Sequence, residues 1–328
     1  MLRIRTYDGE RDAGTLIRLW HAIFTAEWPL PAARAERLLS AAEPPVRRDV
    51  LLAEEAGDPT GLAIVDHDLR PAHGERAGNL VALAVVPGAR RRGVGTALHT
   101  AALARLAESG ARNVQLGGGA PRLWPGVPST ARDAVAFFAS QGWTFAEQSH
   151  DMVQDLRRYA TPPEVYERAA AQGVAAGLVS PERLPALLDF VEREFPEWAG
   201  DYRSIVDLGD RDDLLEATDA SGRTLGALVM YTPRSHPGRS DVVWTELLGA
   251  DCGALGDVGV AEDARRRGVG SLLVARGSEI LRERGAGNCL IAWTWALEFY
   301  GKLGYRLWRS YEMSWREIAP SRRPDPDG

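Results

Sequence analysis

The stretch ARRRGVG stands at residues 89–95 and occurs again, unchanged, at residues 264–270. The two copies lie 175 positions apart, and the same offset carries GARN at residues 110–113 onto GAGN at residues 285–288. Self-similarity at a fixed spacing is the signature of a repeated structural unit. The sequence therefore predicts two copies of one fold.

The two copies differ in length at one place. The tripeptide QGW at residues 141–143 resembles LGY at residues 303–305, but here the offset is 162, so the first copy holds 13 additional residues. They fall in GGGAPRLWPGVPST, residues 117–130, where clustered Gly and Pro predict a loop. We expect this insertion to cap a groove in the first copy or to bridge the copies.

A chain of 328 residues is long enough for two domains of about 150 residues each. The repeat predicts a first domain at residues 1–159, a linker at residues 160–173 and a second domain at residues 174–318. Residues 319–328 are polar and rich in proline, which predicts a disordered tail.

Composition excludes several classes of protein. A net charge of -6 argues against a nucleic-acid binder, which needs a broad surplus of Lys and Arg. The first residues lack the apolar segment of a signal peptide, and no apolar run approaches the roughly 20 residues that cross a bilayer. We therefore expect a cytoplasmic protein that binds no membrane. Cys252 and Cys289 lack Cys-x-x-Cys spacing and the histidines lack metal-ligand spacing, so we expect no metal site.

Each ARRRGVG copy lies between a predicted strand and a predicted helix. Short valine-containing segments precede the copies at residues 79–86 and 254–260, and apolar residues at helical spacing follow them. Consecutive N–H groups at such a helix start, backed by the positive end of the helix dipole, form a concave anion site. Neighbouring arginines add charge-assisted hydrogen bonds to phosphate oxygens. The pattern predicts a pyrophosphate-binding turn in each copy.

Other interpretations of this turn are weaker. A Walker A loop needs Gly-Lys-Ser or Gly-Lys-Thr, and neither tripeptide occurs in the chain. A dinucleotide fingerprint needs three glycines and a later acidic residue, whereas this motif has two glycines. A single copy would be typical of a solvated basic turn, but two copies in one context favour a binding site.

With these motifs the chain resembles the GCN5-related N-acetyltransferases, the GNAT superfamily. The family hallmark, Gln or Arg followed by x-x-Gly-x-Gly or x-x-Gly-x-Ala after a strand, is matched by VVPGARRRGVG and VGVAEDARRRGVG. A second family signature is matched by FYGKLGY at residues 299–305. The resemblance implies an α/β fold class, with a mixed α+β sheet, in two tandem GNAT (acyl-CoA N-acyltransferase) domains. It also implies acetyl-CoA as the cosubstrate.

The resemblance assigns particular residues to acetyl-CoA. In the family the strand before the turn splays from its neighbour, and the amides of the pantetheine arm pair with the exposed strand edge. In the second copy the arm and the pyrophosphate fall on Val258, Gly259, Val260, Arg265, Arg266, Arg267, Gly268, Val269, Gly270 and Ser271. The first copy has the corresponding residues Val85, Arg90, Arg91, Arg92, Gly93, Val94, Gly95 and Thr96.

The reaction implied is direct transfer of the acetyl group from the thioester to an amine. By resemblance, Tyr300 gives a proton to the departing thiolate, since a phenol stays protonated at neutral pH. The first copy has Phe138 at that position, which has no proton to give. We therefore expect the second domain to be catalytic and the first to be degenerate. The alternative is that both rings only pack against the sheet.

The base that removes a proton from the attacking amine is less well defined. Asp257 lies on the strand beside the expected acetyl group, and Glu246 lies upstream of it in DVVWTELLGADCG. Either residue is also compatible with an ordinary loop or surface carboxylate. Members of the family often use water instead, so the sequence leaves the base open.

The acceptor site is expected mainly in the segment EREFPEWAGDYRS, residues 192–204, with a parallel piece FTAEWPLP in the first copy. Aromatic faces and carboxylates there suit a cationic or sugar-like amine, although charged runs near helix ends are commonly solvated. Two tryptophans near the strand that leads to Tyr300 either line the pocket or fill the core. The candidate acceptor residues are Glu197, Trp198, Tyr202, Trp293 and Trp295.

Taken together, these residues predict an acetyl-CoA-dependent N-acetyltransferase whose acceptor is a small-molecule primary amine. An amino sugar, an antibiotic or a thiol precursor fits this description. The alternatives are a non-catalytic acyl-CoA binding or sensing protein, and an acyltransferase that uses another acyl-CoA or a protein amine. The sequence does not predict an oligomeric state.

Overall fold

The computed structural model describes residues 1–24, 27–30, 32–42, 46–72, 75–119, 122–239 and 241–319. In chain order the first elements are β1 Leu2–Thr6, α1 Thr15–Phe24, α2 Ala32–Ser40, β2 Val46–Glu55, β3 Asp58–Ala72, β4 Glu75–Val85, α3 Val94–Glu108, β5 Ala111–Leu116, β6 Val127–Pro128, α4 Arg132–Ser140 and β7 Glu147–Asp155.

The later elements repeat this order after an additional helix. They are α5 Pro163–Ala171, β8 Ala175–Leu178, α6 Leu184–Glu194, α7 Ala199–Asp207, β9 Leu214–Thr218, β10 Thr224–Tyr231, α8 Thr245–Leu248, β11 Cys252–Val260, α9 Val269–Glu283, β12 Asn288–Thr294, α10 Leu297–Gly301, β13 Arg306–Met313 and β14 Trp315–Glu317. A short 3₁₀ turn, Pro87–Ala89 or Glu262–Ala264, precedes each glycine turn.

The chain forms two compact units. The first comprises Met1–Ser149 together with the segment that begins at Ser310, and the second comprises His150–Arg309. These limits differ from the segments 1–159 and 174–318 expected from the repeat. The reason lies in strand pairing: β7 pairs antiparallel with β12 in the second unit, and β14 pairs antiparallel with β5 in the first.

Residues 160–173, expected to be a linker, contain helix α5 of the second unit. Val165 and Ala169 of α5 are buried in the core of that unit. The segment is thus a packed element of the second unit. The tail expected to be disordered lies outside the described residues from position 320 onward.

The sheet of the first unit has the strand order β1-β2-β3-β4-β5-β14. Its only parallel pair within the described residues is β4 with β5; its other pairs are antiparallel. Helix α3 packs on this sheet because its apolar side chains recur every four residues and form one stripe. The buried residues of that stripe include Val94, Leu98, Ala102 and Leu106.

The second unit repeats this arrangement with the strand order β8-β9-β10-β11-β12-β7. Here β11 and β12 form the parallel pair, and the printed pairs of their neighbours are antiparallel. Helix α9 buries Val269, Leu273, Ile280 and Leu281 against the sheet. The predicted α/β fold class with mixed sheets is confirmed in both units.

None of the helices in the described part of the chain has the length and apolar character that a membrane span requires. Within the same residues, no group of three or more His, Cys, Asp or Glu side chains is arranged to hold a metal ion.

Candidate active site

The central strands of each unit part from each other halfway along their length. In the second unit β11 pairs with β12 only from Cys252 to Ala254, and its remaining residues up to Val260 pair with β10 alone. In the first unit the last pair of β4 with β5 is Leu80 with Leu116. Each unit therefore has the splay that the resemblance implied, with part of one strand left unpaired on that side.

A β-bulge lies in the splayed part of β11. Ala227 pairs with Gly259 and Val229 with Gly256, so two residues of β11 face one residue of β10. One of these two is Asp257, which has a φ of 47°, in the left-handed region that L-residues seldom adopt. The bulge bends the strand at the point where the cleft opens.

Tyr202 of α7 supports this bulge. Its ring is completely buried, and its hydroxyl donates a hydrogen bond of 2.9 Å to the carbonyl oxygen of Asp257. Burial raises the pKa of the Tyr202 phenol well above its ordinary value. This differs from the acceptor-stacking role expected for Tyr202, because a fully buried ring offers no face to a ligand.

The two glycine turns have nearly identical backbone conformations. Gly93 and Gly268 precede α3 and α9 with φ values of 86° and 87°, and Arg91 and Arg266 have φ values of 61° and 63°. No side chain caps either helix. Since the first N–H groups of a helix have no partner within it, each turn presents a row of donors.

The second glycine of each motif has a packing function. A Cβ atom at Gly95 would lie 3.4 Å from the ring of Phe137, and one at Gly270 would lie 3.3 Å from the ring of Phe299. Each glycine thus also lies close to the phenylalanine of the following helix. The assignment of its backbone N–H to the phosphate site stays a prediction.

The first arginine of each motif supports the turn. Nε of Arg90 donates to the carbonyl oxygen of Val85 at 3.0 Å, and Nε of Arg265 donates to that of Val260 at 3.4 Å. Both arginines are exposed, so their remaining donors face solvent. These contacts connect the turn to the last residue of the splayed strand in each unit.

Tyr300 lies on α10 with only 8% of its surface exposed. Its ring contacts Phe299 and Tyr305. Burial raises the pKa of Tyr300 to about 12, and the nearby Cys289 and Asp257 add to the increase. The phenol is therefore held protonated at neutral pH, and its environment includes the bulge residue.

Phe138 of α4 is 6% exposed and has the matching position in the first unit. Its ring contacts Phe137, His99 and Trp143. Trp143 donates from Nε1 to Nε2 of His99 at 2.9 Å. Burial, with the charge of Arg316, lowers the pKa of His99 to about 4. The first unit thus has an aromatic packing cluster where the second has a phenol.

The two candidate bases lie in different environments. Asp257 is half-buried in the bulge and contributes to the raised pKa of Tyr300. Glu246 is exposed on α8, whose last residue, Leu248, accepts a hydrogen bond of 2.8 Å from Asn288 at the start of β12. Asp257 therefore acts electrostatically on Tyr300, while the role of base stays a prediction for both residues.

Aromatic residues of the α6–α7 connection cover β11 beside the bulge. Phe195 and Trp198 stack with centroids 4.8 Å apart and planes at 18°. A Cβ atom at Gly259 would lie 2.4 Å from the ring of Phe195, so only glycine admits this contact. Glu197 in the same connection is exposed.

The two tryptophans at the end of β12 differ in exposure. Trp293 is half-buried with a φ of 54°. Its backbone N–H donates a hydrogen bond of 3.0 Å to Oδ1 of Asp151. Trp295 is 53% exposed. The candidate acceptor residues of the second unit therefore come from two elements, the α6–α7 connection and the end of β12.

The insertion of the first unit fills its splay. A Cβ atom at Gly119 would lie 2.7 Å from the side chain of Val81, the first residue of β4 beyond its last pair with β5. Trp124 is 6% exposed, and its ring lies 5.3 Å from those of Trp20 and Trp28. In the second unit the residue matching Val81 is Gly256, where an added Cβ would meet nothing within 4 Å.

The profile of the Acetyltransferase (GNAT) family matches residues 14–143 and residues 184–305. The chain belongs to this family. The predicted family, tandem layout and N-acetyltransferase activity are thereby confirmed, and GNAT membership implies acetyl-CoA as the acyl donor.

Known proteins similar to this GNAT chain include a curated relative and two solved structures. Mycothiol acetyltransferase of Nocardia farcinica (strain IFM 10152) is 30% identical over 306 residues, 91% of each chain. The glucosamine N-acetyltransferase region of a fungal multi-domain GH3 β-N-acetylglucosaminidase is 33% identical with a TM-score of 0.89. The match covers 96% of this chain but spans only 38% of the fungal chain. A tandem GNAT protein from the clavulanic acid biosynthesis pathway has the same fold, with 17% identity, a TM-score of 0.63 and coverage of 98% and 100%.

Two residues of these GNAT clefts were missed by sequence reasoning. Phe195 and Trp124 both stand in the segments singled out for the acceptor site and the insertion, but neither was assigned a role. Each is an aromatic residue next to proline, which is the only local signal. Their partners are distant in sequence, so the fold is needed to show which surface each ring covers.

Proposed function

We propose that the second unit transfers the acetyl group of acetyl-CoA directly to the primary amine of a small molecule. The observation that carries this proposal is the contrast between the two splays. Beyond Ala254 β11 pairs with β10 alone, and an added Cβ at Gly256 would meet nothing within 4 Å, whereas Gly119 of the inserted loop lies against Val81 in the matching part of β4. An acyl carrier that binds as an added strand needs such an unpaired strand edge, and we assign the carrier to the second unit.

The residues of the second unit suit the carrier. The pantetheine arm contains amides that pair with a strand edge in the manner of an added strand, here Val258 to Val260. The N–H groups of the turn from Arg266 to Ser271 suit the pyrophosphate, because an uncapped helix start attracts anions. Main-chain groups supply most of this binding.

The chemistry balances with one proton donor. The amine nitrogen attacks the thioester carbonyl carbon, a C–N bond forms, and the C–S bond breaks. The departing thiolate takes a proton from Tyr300, whose raised pKa of about 12 keeps the phenol protonated until then, and the phenolate regains a proton from solvent before the next turnover. The surplus proton of the amine leaves to Asp257 or to water. Phe138 offers the first unit no such donor.

For the acceptor we propose an amine on a sugar-like scaffold. The names of two relatives, a mycothiol acetyltransferase and a glucosamine N-acetyltransferase region, support this class. The second unit also carries exposed or half-exposed indole faces at Trp198 and Trp295 and an exposed carboxylate at Glu197. Indole faces suit a sugar ring or a cation, and a carboxylate suits an ammonium group.

The experiment is an acceptor screen followed by paired substitutions. The protein is incubated with acetyl-CoA and a panel of amines that includes glucosamine, free thiol is followed, and products are identified by mass. With the best acceptor, Tyr300→Phe is expected to lower kcat about 100-fold, the magnitude of a lost general acid.

The matched control is Phe138→Tyr, which adds a phenol at the corresponding position of the first unit. We expect kcat to stay within about twofold of the wild-type value, since the first splay is covered. An unchanged kcat in Tyr300→Phe, or acetylation found only on protein lysines, would contradict the proposed function.

A further inference from the structure

Helix α5 places an arginine against the second glycine turn. The side chain of Arg168 lies over Gly268, where an added Cβ would be 3.0 Å from Cδ of the arginine. Its Nη2 donates a hydrogen bond to the carbonyl oxygen of Arg266. A guanidinium has five N–H donors, and Arg168 is exposed. The remaining donors are therefore available at the mouth of the turn.

Polar contacts hold α5 in this position. Thr161 and Tyr166 donate from their hydroxyls to the two carboxylate oxygens of Glu279 on α9, at 2.5 and 2.6 Å. Arg276 pairs with the same carboxylate. Val165 and Ala169 of α5 are buried in the core of the unit. Arg168 thus projects from a helix fixed on α9, the helix that the glycine turn begins.

The charges around the two turns differ. In the first unit Arg92 forms an ion pair of 3.0 Å with Glu55. The matching residue of the second unit, Arg267, donates from Nε to the neutral side chain of Gln172 at 3.4 Å. Both turns have carboxylates nearby, since Glu262 and Asp263 precede the second turn. The pKa of Asp263 is lowered by its hydrogen bond with Arg223 and also by the charge of Arg267. The difference that favours a dianionic ligand at the second turn is the additional guanidinium of Arg168.

We propose that Arg168 is a diphosphate-binding residue for acetyl-CoA in the second unit. Its guanidinium adds charge-assisted hydrogen bonds to the row of main-chain donors. The second turn therefore binds the diphosphate more tightly than the first turn does. The inference rests on the proposed function, because it concerns the same cosubstrate site.

The test compares two acyl donors. Binding of acetyl-CoA, measured by calorimetry without any amine, is expected to weaken about tenfold in Arg168→Gln, the worth of one charge-assisted hydrogen bond. With S-acetylpantetheine, which has no diphosphate, the Kd of the variant, measured in the same way, should match that of the wild type. Arg168→Lys keeps the charge, and its Kd for acetyl-CoA should lie between those of the wild type and Arg168→Gln. The control Arg158→Gln removes an exposed arginine that neighbours β7 and should leave the Kd unchanged.

Two outcomes would overturn the inference. An unchanged Kd for acetyl-CoA in Arg168→Gln means that the guanidinium does not contact the phosphates. Equal losses with acetyl-CoA and S-acetylpantetheine mean that Arg168 only supports the fold of the turn. Because binding is measured without amine, failure to find an acceptor would contradict the proposed function and leave this measurement intact.

Discussion

At the scale of single residues, the cleft of the second unit depends on one strained position and the side chain that holds it. Asp257 has a left-handed φ of 47° in the bulge, and the hydroxyl of Tyr202 bonds its carbonyl oxygen. A non-glycine residue in this region persists only where its surroundings hold it. The geometry of β11 beside the proposed thioester site is therefore set from α7.

Replacing Tyr202 with Phe tests this support. The lost hydrogen bond leaves a buried carbonyl without its phenol partner, and we expect the free energy of unfolding to fall by about 1–2 kcal/mol. Relaxation of the bulge should also raise KM for acetyl-CoA. Urea unfolding and steady-state kinetics measure the two effects. Unchanged stability together with unchanged KM would show that the bulge does not need the hydroxyl.

His99 gives the first unit a pH-dependent stability. Its pKa is lowered to about 4 in the folded state, against about 6.5 when unfolded, so the unfolded chain binds more protons between these values. Stability is full above pH 6.5 and falls as the pH decreases. From pH 8 to pH 5 we expect His99 to account for a loss of about 2 kcal/mol.

The measurement is urea unfolding of wild type and His99→Gln at both pH values. The variant should lose less stability on acidification than the wild type does. The exposed His21 provides the control, since His21→Gln should retain the wild-type pH dependence. Identical pH dependence in His99→Gln and wild type would contradict the assignment.

Residue-scale features were only partly predictable. The motif Arg-x-x-Gly-x-Gly predicts a turn between a strand and a helix, and both copies have one, whereas the left-handed conformation of its residues was not predicted. Arg168 and Phe195 had no such signal. Their partners, Arg266 and Gly259, lie tens of residues away in the sequence, and contacts of this kind depend on how the helices pack rather than on local pattern.

At the scale of elements, the inserted loop of the first unit lies against the splayed part of β4. It begins at Gly117, whose N–H donates to the carbonyl oxygen of Leu80, the last β4 residue paired with β5. From there the loop covers Val81 and buries Trp124 among the rings of α1 and its following segment. A difference of 13 residues in the sequence thus becomes a covered strand edge.

Trp124→Ala tests whether this loop is structural and remote from catalysis. Removing a buried indole is expected to lower the free energy of unfolding by about 3–5 kcal/mol. Because the transfer is assigned to the second unit, kcat at 25 °C should remain near the wild-type value while the protein is folded.

Trp295→Ala is the matched control for Trp124→Ala. This indole is 53% exposed, so its loss should change stability little and should instead raise KM for the amine. A loss of kcat in Trp124→Ala without a loss of stability would contradict this division of roles.

The pairing partners of the strands were the part of the fold that the sequence did not predict. The alternation of strand and helix was readable, but the partners of β7 and β14 were not, so the sequence placed the unit boundaries at residues 159 and 174. Strands join a sheet through main-chain hydrogen bonds, which carry little sequence information. The observed boundaries therefore required the pairs of β7 with β12 and β14 with β5.

At the scale of the whole molecule, one fold occurs twice with different side chains at corresponding positions. Both units keep the splay and the left-handed turn. In the second unit the turn is accompanied by the buried phenol of Tyr300 and by Arg168. The central claim is that acetyl transfer depends on the second turn and not on the first.

The most direct test is the thiol-release rate of Gly268→Asp compared with Gly93→Asp. The two glycines have φ values of 87° and 86°, a region that Asp tolerates better than most residues, and the new carboxylate repels a pyrophosphate in either turn. At Gly268 the new side chain also displaces Arg168, which lies 3.0 Å from an added Cβ, whereas at Gly93 an added Cβ meets nothing within 4 Å. We predict that Gly268→Asp lowers kcat/KM for acetyl-CoA at least about 100-fold, whereas Gly93→Asp stays within about twofold of wild type. A large loss in Gly93→Asp, or wild-type activity in Gly268→Asp, would contradict the account.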